Sequence, residues 1–569
     1  MKGQAARDFL NFGLLIGVII ALNVVGNYVY KIWDFTEEKR YTLTDATENF
    51  LTELDEVVYV RVLLDGNLPS GFTRLRQSAL ETLKDFRSIN PLIEFDFEDP
   101  TKGSTEKTNA RKEELAENGI YPTNLRVAQD NETVEKLIYP YAILNIGDRS
   151  IAVNLLEAQG VGITDEVALN NSVSLLEYKF ADAIQKLTTS RKPNILLTEG
   201  NGELRPQQTA ALETILKNNY NIGRINLDSI YTIGDELDLL IMAGPTSEIS
   251  QRSQFLIDQY VMKGGKVLWM IDYLTASLDS ISKYGNYLPD IYPLGLEDMF
   301  FKYGVRIQPN LILDLESTRI PQVIGNQGGK AQQELIPYVY HPLVGSTSQH
   351  PIVKSIDRVN FFFPSTIDTI QTKANIHKEI LLSSSNYSRF QVAPMRMNFE
   401  ILRYKPDETK FDKGPQPIAV LLEGAFESFF KNRVSERMSS MLQDLGEEFK
   451  DKSEPTRMIF ISDSDFAKNL YSPANNRISP LGFNQWEQFT FKGNQQFIFN
   501  AIEYLLDDKG LIAARGKDVK LRLLNKVKIQ NERKYWQFLN IGLPLLFLIV
   551  LGIIYNFIRR RKYSRTDGK

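Results

Sequence analysis

Two carboxylates separated by one residue, Asp463 and Asp465 in Phe460-Ile461-Ser462-Asp463-Ser464-Asp465, follow an apolar run. At the carboxyl edge of an α/β sheet they would stand where such folds bind ligands. With further oxygen ligands they could hold Mg²⁺ or Ca²⁺, but none is identifiable, and turn formation explains the pair as well. No metal is assigned. A second candidate is the turn Glu199-Gly200-Asn201-Gly202-Glu203 after Ile195-Leu196-Leu197. Arg205 occupies the place of the third glycine in a dinucleotide fingerprint, and no Gly-Lys-Ser/Thr follows, so the turn is not read as a nucleotide site. A nucleophile elbow would need Ser, Cys or Asp on the turn with a base nearby. Asn201 and Glu203 therefore stand as ligand-contact candidates, with no catalytic residue among them.

The whole chain of 569 residues has no cysteine and three histidines. That removes thiol catalysis, disulfides and Cys-ligated zinc. His341, His350 and His377 show no i,i+4 pairing and read as loop histidines rather than zinc ligands. Phe361-Phe362-Phe363 reads either as a carbohydrate surface or as the end of a core strand before Pro364. No cofactor is expected, and with a net charge of -4 no nucleic-acid partner is either.

The elements that must position these residues are α/β units. Thr44 can cap a first helix, and strand, helix and pattern signals then give β-α-β-α-β-β-α: strands over 57–65 and 92–99, helices over 72–86 and around 111–117, paired strands over 136–147 and 149–156, and a helix over 172–187. This is a thioredoxin-like layout without its C-x-x-C. After a polar boundary at 188–194 come strands over 195–198, 221–227, 237–243 and 266–272, with helices over 207–217 and 252–262. Short apolar strands alternating with helices predict a parallel sheet covered on both faces. The stretch 324–333 reads as a mobile loop and the region around 350–370 as strand-rich.

Two uncharged stretches, 22 residues over 9–30 and 24 over 535–558, are each long enough to cross a bilayer. Arg559, Arg560, Arg561, Lys562 and Arg565 lie directly after the second, which places both termini in the cytoplasm and the intervening region outside it. In the first stretch Gly13, Gly17 and Ala21 repeat at intervals of four, and Asn23 and Asn27 do the same. One face could thus pack closely and hydrogen-bond to another helix. The expected divisions are a membrane helix (9–30), an N-terminal α/β domain (36–190), a second α/β domain with strand-rich insertions (191–510), a basic juxtamembrane segment (511–534) and a second membrane helix (535–558).

The stretches RYTLTDATENFLTEL, TEGNGELRPQQ, DLLIMAGPT, FLIDQYVMKGGKVLWMID and ISDSDFAKN, with the two-anchor layout, resemble the gliding-motility-associated ABC transporter auxiliary (GldG) family of Bacteroidetes-type bacteria. The resemblance implies a substrate-binding-like periplasmic subunit of the inner membrane, assembled with an ABC permease and a cytoplasmic ATPase. It also implies a class I glutamine amidotransferase-like, flavodoxin-like sheet in the second domain. Members of the family commonly carry Gly-His-Gly-Glu at the Gly200 turn, where Asn201 stands here. With no cysteine and no histidine near that turn, the expectation is a non-enzymatic subunit, possible also as a homodimer. The alternatives are a solute- or glycan-binding receptor with a cleft between the 194–272 unit and the strand-rich region, and, less favoured, a metal-dependent hydrolase using Asp463 and Asp465.

Overall fold

The computed structural model describes residues 12–21, 42–129, 132–157, 165–189, 191–327, 330–346, 348–434, 448–517 and 532–563. Two units emerge, Met1–Asp518 and Val519–Lys569.

In the first unit, Thr44 caps the Asp45–Thr52 helix by accepting from Thr47 N. The Ser70–Ile89 helix carries Phe72, Leu75, Ala79, Leu83 and Phe86 on one stripe, the three-and-four spacing of an amphipathic helix. They share a core with Val58, Val60 and Val62. The Val58–Val62 strand pairs in parallel with Ile93–Phe97 and antiparallel with Tyr141–Ile146, which in turn pairs with Arg149–Asn154. The expected strand over 136–147 is in fact two. Its first residues belong to a separate hairpin, Thr123–Gln129 with Glu132–Ile138, and Pro140, which has no N–H for a ladder, separates the two pairings.

The second sheet has seven strands. Asn221–Ile225, Asn194–Thr198, Leu237–Ala243, Lys266–Met270 and Thr456–Ile461 run parallel in that spatial order. Pro417–Gly424 and Ile376–Ser383 extend the sheet antiparallel. The central strands are buried almost throughout, and successive side chains enter opposite faces as a two-residue period requires. Leu239, Ile241 and Ala243 join one core with the Pro206–Leu216 and Lys492–Leu506 helices, while Leu240 and Met242 join another with the Gln251–Met262 and Glu297–Tyr303 helices. The sheet is covered on both faces, as the apolar strands predict.

Of the stretch expected as a mobile loop, 324–327 and 330–333 lie instead in a long antiparallel ribbon, Ser317–Gln327 with Lys330–Val344. Glycines and glutamines obscure its alternation in the sequence. Nor are the histidines loop residues as a group. His341 lies inside that ribbon, wholly buried against Tyr338, Phe362 and Phe363, and burial pushes its imidazole down to about 3. His377 is the second residue of the Ile376–Ser383 strand, its Nε2 3.7 Å from Glu379.

The segment expected to be a basic juxtamembrane linker from 511 begins differently. Leu511–Gly516 is a 3-10 turn that buries Leu511, Ile512 and Ala514, with Leu511 in the N-terminal core. Apolar side chains at the end of the second sheet's last helix thus close the first sheet's core. Beside this turn, Glu177 accepts from Thr44 N (2.7 Å), Thr44 Oγ1 (2.9 Å) and the Lys517 ammonium, and Lys517 also reaches the Thr42 carbonyl. The residues at either end of the 42–517 region are therefore tied together through one buried carboxylate.

In the second unit, Arg533–Arg561 is helical throughout and long and apolar enough to cross a membrane by length and composition. The helix passes through a π-turn at Phe538–Gly542. Near the N-terminus the described residues, Phe12–Ala21, form an apolar helix. The remainder of the expected first span, with Asn23 and Asn27, lies outside the described residues.

The tie at Glu177 has a measurable consequence. Breaking a largely buried ion pair leaves Lys517 and two donors of Thr44 without their acceptor, so Glu177→Ala should cost about 2–4 kcal/mol. Urea unfolding of the detergent-solubilised chain, followed by tryptophan fluorescence, checks this; an unchanged midpoint would show that the tie carries no weight.

Candidate functional site

The chain enters the second sheet at Asn194–Thr198, adds Asn221–Ile225 on one side, then crosses to Leu237–Ala243 on the other. This is the 2-1-3-4-5 order of a doubly wound sheet, whose ligands sit outside the carboxyl ends where the winding reverses. Here that point lies between the Gly200 turn and Gly244-Pro245-Thr246.

The Gly200 turn fills the crevice itself. Asn201 O accepts from Thr246 N (2.9 Å) and Ser247 N (3.0 Å), and Asn201 Nδ2 donates to Glu248 O (2.8 Å). Glu203 Oε2 accepts from Asn201 N (2.7 Å), while its Oε1 is buried without a partner among the described residues. Gly202 has φ +81° and lies so close to the neighbouring loop that a Cβ would fall on Thr246 Oγ1. Any other residue would be strained and would push the two loops apart. Asn201 and Glu203 are 9% and 8% exposed, so both predicted contact residues face protein rather than solvent.

Further along the same edge the acids gather. Asp463 is wholly buried, its Oδ1 accepting from Asp465 N (2.7 Å) and its Oδ2 from Phe362 N (2.6 Å). Asp272, at the end of the adjacent strand, accepts from Ser464 N (2.9 Å) and from the Ser464 hydroxyl. Asp465 is more open and meets Lys468 Nζ at 3.4 Å. Burial, then the neighbouring charges of Asp272 and Asp465, push the Asp463 carboxyl well up, against two backbone N–H donors that favour its ionised form. Burial and Asp465 push Asp272 up to about 6. Tyr292 faces the same acids and is raised to about 12, first by burial and then by Asp272.

The structure thus brings Asp463 and Asp465 together with Asp272, a residue that the sequence reading placed only as the end of a strand. One signal was available. Both strands run apolar and stop at an aspartate, Met270-Ile271-Asp272 and Ile461-Ser462-Asp463, and adjacent parallel strands put their carboxyl ends side by side. Asn201 and Glu203 form a separate knot two strands away. Among the described residues no group of three or more His, Asp or Glu has the arrangement to hold a metal ion. The aromatic run is neither a carbohydrate surface nor simply a strand end. Phe361 is buried in the sheet core and Phe363 in the core of the strand-rich insertion, so the run joins the two. A cavity of about 1150 Å³ lies between the Leu176–Thr188 and Lys492–Leu506 helices.

Fold and edge together define an α/β protein with a doubly wound sheet whose ligand crevice is occupied by its own loops. The chain belongs to the family described as "ABC-type uncharacterized transport system", matched over residues 192–501, and is an auxiliary component of such a system. Residues 37–145 match a domain of unknown function, DUF7088. An uncharacterized protein of Borreliella burgdorferi is 23% identical over 510 residues, covering 86% of this chain and 89% of that protein. Among solved structures the mmIFT52 N-terminal domain aligns with a TM-score of 0.30 and 11% identity, over 55% of this chain and 97% of that one.

The buried acid at the sheet edge predicts a pH dependence. Because the folded-state pKa of Asp272 lies above that of an unfolded chain, stability falls as pH rises from about 4 through about 6. Asp272→Asn keeps an acceptor for Ser464 N and cannot ionise. Relative to the parent, the variant should gain about 1–3 kcal/mol between pH 4 and pH 8. Thermal denaturation at the two pH values tests this, and a gap that does not change with pH would rule out the buried charge.

Proposed function

We propose that this chain is a non-enzymatic, GldG-type subunit of a gliding-motility-associated ABC transporter. In this reading both termini are cytoplasmic and residues 42–517 lie outside the inner membrane, where they form an interaction surface. An ABC permease binds the membrane helices and a cytoplasmic ATPase supplies the energy. The observation that carries the non-enzymatic reading is the switch point, where Asn201 and the Thr246 loop satisfy one another and Glu203 is buried. The tie between Thr42, Glu177 and Lys517 supports the topology, because it brings both ends of the region to one place, as anchoring to a single membrane face requires. The C-terminal arginine cluster supports the same orientation.

On the first helix a Cβ added at Gly13 or Gly17 would meet nothing within 4 Å among the described residues. This supports a face open to a neighbouring helix, on which close packing and several hydrogen bonds of about 0.6 kcal/mol each would have to act together. Gly13→Leu with Gly17→Leu is expected to reduce the permease that co-purifies from native membranes several-fold, with the chain still inserted. Co-purification at the normal ratio would move the contact to the second helix, to the 42–517 region, or to a second copy of the chain. In the same cells Asn201→Ala and Glu203→Gln chains at normal abundance should retain function. Loss of function in a folded Glu203→Gln chain would make the turn catalytic.

A further inference from the structure

The cavity between the Leu176–Thr188 and Lys492–Leu506 helices is a trough along one face of the latter. Lys492, Gln495, Gln496, Phe499, Asn500 and Glu503 line it at the three-and-four spacing of a single helical face. From Lys492 to Glu503 that face runs roughly 16 Å, at 1.5 Å per residue. The opposite wall comes from the N-terminal layer and mixes apolar side chains, Phe72, Leu125, Leu156 and Leu169, with polar ones such as Thr123, Asn124 and Asn154. The three leucines are only partly buried although they pack on the N-terminal core.

The charges in the trough do not cancel evenly. Lys179 meets Glu157 at 2.8 Å. Lys186 meets both Asp182 and Glu503 at 2.7 Å, and the Tyr178 hydroxyl donates to the other oxygen of Glu503. All three acids of the lining thus have a cation. The Arg515 side chain makes no hydrogen bond or ion pair among the described residues, although its charge also acts on Glu157 and Asp182. Its guanidinium rests over the Tyr178 ring, 5.0 Å from the centroid, and its Nε is buried without an acceptor. The guanidinium lines the trough without a carboxylate partner of its own, and its planar fork is suited to carboxylate or phosphate. At the far end Lys492 opens a helix that has no side-chain cap, a second site of positive character.

We infer that this trough binds a small amphiphilic organic anion, with its acidic group on the Arg515 guanidinium and its apolar body along Phe72, Leu125, Leu156, Leu169 and Phe499. The volume of about 1150 Å³ suits an elongated ligand of that kind. Carboxylates and phosphate monoesters share the required chemistry. The inference does not depend on the identity of the transporter partners, so co-purification of the permease and ligand binding succeed or fail separately.

The test is calorimetry on the full chain in lipid nanodiscs, with empty discs subtracted, using four soluble probes: 4-phenylbutyrate, 2-phenylethyl phosphate, neutral 4-phenylbutan-1-ol and inorganic phosphate. At least one of the two organic acids should bind saturably at one site. The alcohol and inorganic phosphate should each bind at least about tenfold more weakly, the first lacking the charge and the second the apolar body. Arg515→Gln should weaken the acid by a similar factor, while Arg515→Lys should retain part of the affinity. Which acid binds more tightly separates a carboxylate source from a phosphate one. Equal binding of acid and alcohol, equal binding of inorganic phosphate, or an unchanged affinity in Arg515→Gln overturns the proposal, as does the absence of saturable binding by both acids. If Arg515→Gln fails to fold, the comparison of acid with alcohol on the parent chain and on Arg515→Lys decides the matter.

Discussion

The Asp463 carboxylate, buried at the end of a parallel strand, accepts one backbone N–H from its own turn and one from Phe362, 101 residues earlier. Parallel strands in a doubly wound sheet leave their last peptide groups at the carboxyl edge, and something must satisfy them. In an enzyme of this architecture much of that edge is left to water and ligand. Here it anchors the strand-rich insertion. Phe361 enters the core of the sheet, Phe362 N bonds to Asp463, and Phe363 enters the core of the insertion, so three successive residues fasten two hydrophobic cores to one carboxylate. Asn494 continues the seam, accepting from Asn360 N (2.9 Å) and donating to Asn360 O and Phe466 O (both 2.9 Å).

Elsewhere, too, buried acids join segments remote in sequence. Asp258 accepts from Ser428 Oγ (2.6 Å), Phe429 N (2.7 Å) and Tyr303 OH (2.9 Å), while Asp314 takes the N–H and hydroxyl of Ser385 (both 2.6 Å). Glu177 gathers the two ends of the 42–517 region in the same way. Burial raises both Asp258 and Asp314 although every one of these donors favours the charged form. Desolvation therefore outweighs the local hydrogen bonds, and such contacts fix which segments meet more than they add net stability. Around Asp463 the like charges of Asp272 and Asp465 sharpen the same effect.

The parts of this fold that were legible in the sequence are those set by local period. Ile195-Leu196-Leu197 followed by a glycine turn, the short apolar run in 237–243 and the stripe from Phe72 to Phe86 each announce one element, and each element is there. The Asp463 and Asp465 pair was legible as the end of a strand, but not its neighbour Asp272, because strand adjacency is decided by crossovers that no local pattern records. The Ser317–Val344 ribbon was hidden for a different reason: Gly325, Gln327 and Gln332 interrupt alternation, and strand pairing there rests on backbone ladders more than on an apolar face. The trough was out of reach altogether. Arg515 lies more than 300 residues from Tyr178, and the sequence around it reads as the start of a basic linker until Leu511 and Ile512 are seen to be buried.

A sheet of this type has one carboxyl edge, and the same backbone groups cannot both hold an insertion in place and receive a substrate. Where Asn201 O already takes two N–H groups from the opposite loop and Asp463 already takes two more, a ligand could enter only by breaking bonds that position the cores. Recognition is freer between layers, where side chains rather than peptide groups line the space and an unpaired charge does not unravel a sheet. The trough between the two helices meets that condition. Its Lys186–Glu503 bridge spans the N-terminal layer and the last helix of the doubly wound sheet, so a ligand resting on Arg515 beside it would touch both layers at once.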